Sequence, residues 1–409
     1  MKYYNLNDLC VDIIDCPDST PVWKNKGIRV VRNFNLKNGN LDFTDGYFVD
    51  EDTYKERTTR AVPEEGDIII SREAPVGTVG IVPRGLKCCL GQRLVLLKVD
   101  KEKVDPFYLL NVLMSDFVQT QFKRADSTGS IVSNLCIPDL KKIVIPVIDK
   151  NQDLVTKFLQ MVNAKQLLNE ETNLILENKL KLLYTHWFLQ FDFPTADGKP
   201  YKSSGGKMVF SHRLSMNIPV SWEIKPLLDL CVWESNSQPP KSEFIYEEKE
   251  GYIRFIQNRD YESELYKTYV PLTKNIKTVG KYDILMDKYG DAGKVRYGIE
   301  GAFNVALGKI KPKNVEYREY IRSFLEDDNI YRFLNSSCMA STRASLNESN
   351  LALLDVVIPD TRILEIFNDY AKKLREIILQ NNEENRALRT LKEWILPMLM
   401  NGQATIKDM

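Results

Sequence analysis

The sequence predicts an α+β protein built from two pseudo-symmetric copies of one mixed, β-rich module with helices, separated by two long antiparallel coiled-coil helices. Three observations predict this fold. The 409 residues suffice for two or more hydrophobic cores. A set of short segments recurs in the same order along the chain. Each copy is followed by a stretch of about 40 residues with helical periodicity.

The repeat is carried by short segments. Leu6-x-x-Leu9-Cys10 recurs at Leu227-x-x-Leu230-Cys231, and the run from Ile28 to Asn33 recurs from Ile253 to Asn258. Further matches are Gly66-Asp67-Ile68-Ile69 with Tyr282-Asp283-Ile284-Leu285, Gly77-x-Val79 with Gly293-x-Val295, and the run from Ser130 to Leu135 with that from Ser341 to Leu346. The order is kept and the offset varies only as loop insertions and deletions would make it. We therefore predict two copies of one fold.

Each copy follows the same plan. A short helix leads into segments rich in β-formers and punctuated by Gly, Pro and Asn, which in the first copy are residues 27–33, 67–71, 79–82 and 94–99. Asp105-Pro106 has the residue types of a helix cap and a first helical position, which predicts a helix from there to about Gln121. The apolar run from Ile143 to Pro146 closes the module.

The long stretches have the four-and-three spacing of a coiled-coil seam. The first runs from about Asp149 to Phe188, with predicted seam positions at Leu154, Phe158, Met161, Lys165, Leu168, Thr172 and Ile175 and, after a one-residue slip, Leu176, Leu180, Leu183 and Trp187. The second has Ile363, Phe367, Tyr370, Leu374, Ile377, Asn381, Glu384, Leu388, Leu391 and Ile395.

A helix of about 40 residues is roughly 60 Å long, so it needs another long helix to cover its apolar stripe. The alternative is that each helix packs only on its own module. Thr172 and Asn381 are the expected polar residues that set the register.

These patterns predict the domain boundaries. The first module spans residues 1–148 and the first long helix 149–192, and a linker containing Gly, Pro and Ser spans 193–217. The second module spans 218–360, the second long helix 361–400 and a tail 401–409.

Composition excludes several classes of protein. The 56 basic and 56 acidic residues give a net charge of zero, so bulk electrostatics gives no support for a nucleic-acid partner, and any such contact must come from local patches. Seven scattered cysteines without a C-x-x-C pair indicate reduced thiols and no structural zinc. No apolar run approaches the roughly 20 residues of a membrane span, and the N terminus lacks a signal pattern. We expect a cytoplasmic protein with no membrane partner.

No set of residues in the sequence matches a known catalytic arrangement. The two histidines, His186 and His212, lack partners for a triad or a metal site and are expected to be exposed. The sequence contains neither the G-x-x-x-x-G-K-[ST] loop, which binds nucleotide phosphates, nor a G-x-G-x-x-G motif after a predicted strand. Asp105-Pro106-Phe107-Tyr108 approximates an amino-methyltransferase motif but lacks its second proline and the preceding glycine-rich loop. Pro138-Asp139 with Glu177-Asn178-Lys179 approximates a nuclease core but places the second element on the predicted helix. We predict no catalytic residue, no metal and no cofactor on this chain.

A further set of segments points to a family. They are Ser19-Thr20-Pro21, Gly66-Asp67-Ile68-Ile69-Ile70-Ser71, Gly91-Gln92-Arg93-Leu94, Ser127-x-Gly129-Ser130-x-x-x-Asn134-Leu135 and Ile218-Pro219-x-x-Trp222-x-x-x-x-Leu227. With these segments the chain resembles, over essentially its whole length, the specificity subunit of type I restriction–modification systems. The second copy departs from the pattern, with Gln238-Pro239-Pro240 for the Ser-Thr-Pro turn and Phe303-Asn304-Val305 for Gly-Gln-Arg-Leu.

The resemblance implies a non-catalytic subunit of a DNA methylation complex. Its two target-recognition domains would each read one half of an interrupted double-stranded DNA sequence. The long helices would act as a spacer and would dock two methyltransferase subunits, through which restriction/translocase subunits join. S-adenosylmethionine, ATP and Mg²⁺ would be bound by those partner subunits. Half-sites on one side of DNA lie about 34 Å apart, a separation that helices of ~60 Å can hold.

Base reading needs side-chain donors and acceptors on loops, with basic groups on phosphates. The predicted DNA-binding residues of the first module are Arg72, Arg84, Lys87, Gln92, Arg93, Ser127, Thr128 and Ser130. Those of the second module are Lys288, Tyr289, Lys294, Arg296, Asn304, Thr342 and Arg343. Two alternatives stay open: a protein-interaction scaffold that binds no DNA, and a self-contained methyltransferase that binds S-adenosylmethionine by itself.

Overall fold

The computed structural model describes residues 2–44, 46–73, 75–126, 134–148, 152–262, 266–339, 345–400, 403, 404 and 406. The chain divides into two compact units. Unit 1 comprises Met1–Leu168 and Glu384–Met409, and unit 2 comprises Asn169–Glu383. Each unit therefore contains one predicted module together with part of each long helix.

The elements of unit 1 begin at the N terminus. Its strands are β1 (Lys2–Asn5), β2 (Cys10–Asp15), β3 (Ile28–Val31), β4 (Leu36–Lys37), β5 (Asn40–Leu41), β6 (Tyr47–Val49), β7 (Ile68–Ser71), β8 (Val79–Ile81), β9 (Cys88–Leu90), β10 (Leu94–Val99) and β11 (Val144–Val147). Its helices are α1 (Glu51–Arg57), α2 (Pro106–Met114), α3 (Asp116–Asp126), α4 (Ile137–Lys141) and the first part of α5 (Gln152–Tyr184).

The central sheet of unit 1 has the antiparallel strand order β2-β10-β7-β8, and its inner strands β10 and β7 are buried on both faces. Side chains alternate across a strand, so Ile68 and Ile70 of β7 pack with Tyr108 of α2, while Ile69 packs with Val31 of β3. The second sheet, β6-β3-β9, contains the parallel pair β3 and β9. Burial on both faces explains why β7 reads as a continuous apolar run.

The helix predicted from Asp105 begins as expected but is interrupted. The Asp105 carboxylate accepts a hydrogen bond from the Tyr108 backbone N–H at 2.9 Å, and Pro106 takes the first helical position. The helix ends at Met114 because Ser115 adopts an extended conformation, with its hydroxyl bonded to the Val112 carbonyl. A separate helix, α3, follows. The prediction of one helix to Gln121 was therefore wrong.

Unit 2 continues the element order. Its strands are β12 (Met208–Ser211), β13 (Met216–Pro219), β14 (Glu223–Pro226), β15 (Cys231–Ser235), β16 (Tyr252–Ile256), β17 (Tyr269–Pro271), β18 (Thr278–Val279), β19 (Ile284–Asp287), β20 (Val295–Arg296), β21 (Gly301–Phe303), β22 (Leu307–Pro312) and β23 (Asp355–Ile358). Its helices are α6 (Leu227–Leu230), α7 (Arg318–Leu325), α8 (Asp328–Met339), α9 (Glu348–Leu351) and part of α10 (Thr361–Met400).

The topology of unit 2 repeats that of unit 1, which confirms the internal repeat. The order β15-β22-β19-β20 matches β2-β10-β7-β8, and the parallel pair β16 and β21 matches β3 and β9. In both modules the first and last strands pair antiparallel, β1 with β11 and β14 with β23. The matched Gly77 and Gly293 have φ of +82° and +97°, a left-handed turn conformation that favours glycine, and each donates its N–H across the turn at 2.9 Å.

The segment predicted as a linker contains ordered structure. The strand β12 lies within residues 193–217 and pairs as a hairpin with β13, which extends past the end of that segment to Pro219. The Phe193 ring stacks on both Tyr201 and Trp222, with 4.7 Å between centroids in each case. Because these aromatic side chains contribute to the core of unit 2, this segment packs on the second module and is not an open chain.

Within each unit the long helices run antiparallel. In unit 1, Lys392 Nζ donates to Asn163 Oδ1 at 3.1 Å, and Gln166 and Asn385 each donate an amide N–H to the other's backbone carbonyl. In unit 2, Asn173 exchanges 2.8 Å hydrogen bonds with the side chains of Asn381 and Asn382, and Tyr184 contacts Phe367. The partner number falls as the residue number rises, which defines the antiparallel direction. Supercoiling of the pair stays a prediction.

The buried stripe of these helices lies one residue away from much of the predicted seam. Residues predicted to be buried are exposed, namely Met161, Leu168, Ile175, Tyr370, Ile377 and Leu391. The buried stripe of α5 instead follows Val155, Leu159, Val162, Asn169, Asn173 and Leu180, without a slip. The predicted seam was placed on apolar side chains. The centre of the contact between the two long helices is instead formed by side-chain amides that hydrogen-bond to one another. Asn173, rather than Thr172, is the partner of Asn381.

In the described part of the chain, no helix combines the length and the apolar character that crossing a membrane requires.

All seven cysteines are free thiols, and only Cys136 is exposed. Burial raises the pKa of Cys10 and of Cys88 to about 12, so neither forms a reactive thiolate at neutral pH. We expect a thiol reagent such as Ellman's reagent to modify one cysteine rapidly in the native protein and seven after denaturation. Rapid modification of two or more native cysteines would contradict the burial of the other six thiols.

Candidate nucleic-acid interface

A polar cleft in the first module collects three of the predicted DNA-binding residues. It has a volume of about 230 Å³ and is lined by Cys16, Asp18, Arg72, Glu73, Gln92 and Arg93. The residues come from the end of β2, the end of β7 and the start of β10. Since β2 and β7 flank β10 in the sheet, their ends meet at one edge.

Arg72 is committed to an internal ion pair. Its Nη1 lies 2.6 Å from both carboxylate oxygens of Asp15, and the side chain is largely buried. Burial lowers the pKa of Arg72, but the hydrogen-bonded Asp15 carboxylate outweighs burial and holds the pKa above its usual value. The backbone of Arg72 also joins neighbouring loops, because its N–H donates to Arg93 O and its carbonyl accepts from Leu135 N. Arg72 therefore shapes the cleft.

Arg93 is the exposed cation of the cleft. Its Nε lies 3.1 Å from Glu73 Oε2, and the side chain retains 56% of its accessible surface. Its φ is +66°, in the left-handed region that non-glycine residues seldom adopt. An exposed arginine in this conformation presents donors at the mouth of a polar cleft, as base or phosphate contact requires.

Gln92 is held by the neighbouring turn. Its Nε2 donates to the Asp18 carbonyl, and its Oε1 accepts from Thr20 Oγ1 at 3.1 Å. Arg57, at the end of α1, forms hydrogen bonds with the same two loops. Its Nε donates to Leu90 O at 2.9 Å and its Nη1 to Ser19 O at 2.8 Å. Arg57 is a positioning residue that the sequence analysis missed.

Replacing Arg57 with methionine is expected to lower the stability of unit 1 by about 1.5–3 kcal/mol, since buried carbonyls lose a charged donor. Native-state hydrogen exchange of β7 and β10 would measure the loss. Arg60→Met is the matched control, because Arg60 is exposed and makes one hydrogen bond, to Asp15 O at 3.3 Å. A change of less than about 0.5 kcal/mol is expected for it. Equal effects of the two substitutions would contradict the assigned role of Arg57.

Two further predicted residues of the first module, Arg84 and Lys87, lie apart from the cleft lining. Arg84 is exposed in the turn between β8 and β9. Lys87 is paired with Glu51, 2.6 Å from its Oε1, and lies over the Tyr54 ring. Ser127, Thr128 and Ser130 lie outside the described residues, as do Thr342 and Arg343 of the second module.

The matching edge of the second module carries different side chains. Lys288 N donates to Ala306 O as Arg72 N does to Arg93 O, so Lys288 corresponds to Arg72 and Ala306 to Arg93. Asn304 corresponds to Gly91, since both donate their N–H to the end of the matched strand. The Asn304 side chain closes a turn by accepting from Ala306 N at 2.9 Å.

The remaining predicted residues of the second module lie in different environments. Arg296 is buried against Asp287, with Nη2 2.9 Å from Oδ2. Lys294 pairs with Asp291 at 3.3 Å, and Tyr289 is exposed. Tyr289 is thus a contact candidate on this edge, whereas Arg296 serves the packing of the module.

An arginine–aromatic surface in the first module was not found from the sequence. The Arg32 guanidinium carbon lies 4.8 Å from the Tyr47 ring centroid, 5.2 Å from that of Phe34 and 5.7 Å from that of Trp23. Arg29 lies 4.8 Å from the Phe43 centroid. Arginine interleaved with aromatic rings is a composition suited to nucleic acid. The available signal in the sequence was four basic residues between Trp23 and Phe34.

Comparison with known proteins decides the family. A family model described as the type I restriction modification DNA specificity domain matches residues 1–178 and, a second time, residues 219–384. The chain belongs to this family. As a specificity subunit of a type I restriction–modification system, it is a non-catalytic component.

Relatives of this specificity subunit extend over most of its length. It is 25% identical over 386 residues to the type I restriction enzyme MjaIX specificity subunit of Methanocaldococcus jannaschii, covering 88% of this chain and 82% of that one. It is 21% identical over 406 residues to the HindI specificity subunit of Haemophilus influenzae, covering 83% and 87%. The crystal structure of the S subunit of a type I restriction–modification system from M. genitalium has a TM-score of 0.56, with 16% identity and coverage of 100% and 96%. That similarity shows the shared fold.

Proposed function

We propose that this specificity subunit binds a bipartite double-stranded DNA target, with one half-site bound by each recognition module. The observation that carries the proposal is that the DNA specificity domain is matched twice in one chain, on two modules of the same topology. In the first module, the cleft around Arg93 and the surface around Arg32 supply donors and aromatic rings for bases and phosphates. These local groups compensate for the neutral net charge of the chain.

We further propose that methyltransferase subunits dock on the long helices, one on each unit. The exposed face of α5 carries apolar residues spaced by seven: Met161 and Leu168 in unit 1, exposed by 62% and 57%, and Ile175 and Leu182 in unit 2, exposed by 66% and 69%. Residues seven apart lie on one helix face. Exposed apolar side chains that are aligned on one helix face are typical of protein interfaces.

The partners supply the chemistry under this proposal. The methyltransferase subunits bind S-adenosylmethionine and methylate adenine, and the restriction/translocase subunits, joined through them, use ATP and Mg²⁺. The specificity subunit itself holds no cofactor and acts in the cytoplasm. Its side chains select the DNA and position the methyltransferases on it.

A mobility-shift assay with and without the methyltransferase subunits, over a series of salt concentrations, tests the proposal. Specific binding should be much tighter with the partners, and the logarithm of the binding constant should fall linearly with the logarithm of salt concentration. If this chain were instead a protein-interaction scaffold, no sequence-specific shift would occur with the partners present. Binding of S-adenosylmethionine by this chain alone would favour a self-contained methyltransferase.

Mapping methylated adenines in host DNA with the gene present and deleted gives the target. Loss of methylation at one interrupted motif on deletion is expected. Unchanged methylation would contradict the proposed role in a DNA methylation complex.

A further inference from the structure

One ion pair of the first-module cleft remains accessible after its internal contacts are assigned. Arg72 is bound to Asp15, and Gln92 is bound to Asp18 and Thr20. Arg93 and Glu73, whose side chains are 56% and 23% exposed, contact each other at 3.1 Å at the mouth of the cleft. A ligand that enters therefore meets a fork of cationic donors beside a carboxylate acceptor.

This pairing matches the major-groove edge of one base pair. Guanine presents two acceptors there, O6 and N7, and the paired cytosine presents the N4 amino donor. Arginine donates to guanine O6 and N7 with two parallel bonds, and a glutamate accepts from cytosine N4. An adenine–thymine pair places a donor where guanine O6 lies and an acceptor where cytosine N4 lies, so it would oppose both groups.

We infer that Arg93 and Glu73 together read one G·C base pair in the half-site bound by the first module. This inference rests on the proposed function, because it presumes that this cleft faces DNA. Arg93 donates to the guanine and Glu73 accepts from the cytosine, so each side chain exchanges its ion-pair contact for one base of the same pair.

The backbone at Arg93 supports a role for this side chain. Its φ of +66° is a conformation in which glycine is relaxed and arginine is strained. The fold would tolerate or prefer glycine there, as it has glycine at Gly77 on the neighbouring turn. The arginine therefore contributes something that the fold of the module does not need.

The second module lacks this reader. The positions that correspond to Glu73 and Arg93 are held by Tyr289 and Ala306. Neither can make the paired donor and acceptor contacts of an arginine and a glutamate. The Arg93–Glu73 contact with a G·C pair therefore belongs to the half-site of the first module alone.

The test uses this chain in complex with its methyltransferase subunits and the target found by methylation mapping. Duplexes carrying each of the four base pairs at every position of both half-sites are compared by binding affinity. The parent complex should prefer G·C at one position by about 5- to 140-fold. Arg93→Ala should abolish that preference at that position and leave the other half-site unchanged. In the parent, 7-deazaguanine at the same position removes the N7 acceptor and keeps O6, so it should reduce the preference, as should Glu73→Ala.

Controls separate recognition from folding and from general charge. Lys103→Ala removes a cation of similar exposure, 55%, that is paired with Asp100, and should change no base preference. Arg93→Gly should lose the preference while melting at or above the parent temperature, because the backbone strain is relieved. A loss of equal size for all sequences, a loss at a position that is not G·C, or no loss would overturn the inference while leaving the proposed function intact. A parent complex without any sequence preference would overturn the proposed function itself.

Discussion

Replacing Glu319 with alanine is expected to lower the free energy of unfolding of unit 2 by about 3–5 kcal/mol. Glu319 is fully buried in α7, and its carboxylate lies 2.7 Å from Arg322 Nη1, 3.3 Å from Arg318 Nε and 3.7 Å from Arg375 Nε. Arg322 and Arg375 are also buried, and burial lowers the pKa of Arg322. Removal of the carboxylate would leave these guanidiniums in a poorly solvated site.

The surrounding groups can replace only part of that stabilisation. Both buried arginines contact the Tyr297 ring, whose centroid lies 4.8 Å from the guanidinium carbon of Arg322 and 4.7 Å from that of Arg375. Glu326 pairs with Arg375, but Arg322 retains only the Tyr282 carbonyl as an acceptor among the hydrogen bonds that the described residues show. The Glu319 variant should therefore unfold earlier in urea, whereas Asp369→Ala, which breaks the exposed pair with Lys373, should cost at most about 1 kcal/mol. Similar losses for both variants would contradict this account.

Replacing Phe367 with alanine is expected to cost unit 2 about 3–5 kcal/mol. The Phe367 side chain is fully buried between the helices, with its ring centroid 4.9 Å from that of Phe188 and 6.0 Å from that of Trp187. Truncation would leave a cavity among rings that cannot collapse into it easily. Thermal and urea unfolding would measure the loss.

Tyr370→Ala is the matched control and also tests the register of the helix. Both residues were predicted to lie in the seam, but Tyr370 is 53% exposed. Its truncation should change stability by less than about 0.5 kcal/mol. A large loss on truncating Tyr370, with little loss for Phe367, would show that the buried stripe of α10 follows the predicted positions after all.

The duplicated fold could be predicted because both modules use the same types of residue at equivalent strand and turn positions. Gly77 and Gly293 both need a left-handed turn, and both are visible in the sequence. The helix register could not be predicted in the same way. A buried Asn173 is indistinguishable from an exposed asparagine until its partners, Asn381 and Asn382, are brought to it by the fold.

The candidate site was predictable in part for a related reason. Arg93 and Gln92 are consecutive and line one cleft, but only their contacts with Glu73 and Asp18 distinguish the exposed residue from the tethered one. Arg57 supports this loop from 33 residues away in the sequence, and its role depends on backbone carbonyls that carry no residue-type signal. Long-range support of this kind is set by the tertiary structure.

The pairing of β1 with β11 and of β14 with β23 brings the entry and exit of each module side by side. The polypeptide chain therefore leaves each module next to the point at which it enters. The interior of a module can therefore be exchanged for that of a relative as a cassette, without changing the path of the segments before and after it. Under the proposed function, such an exchange would change the DNA preference of one module while the path of the long helices stays the same.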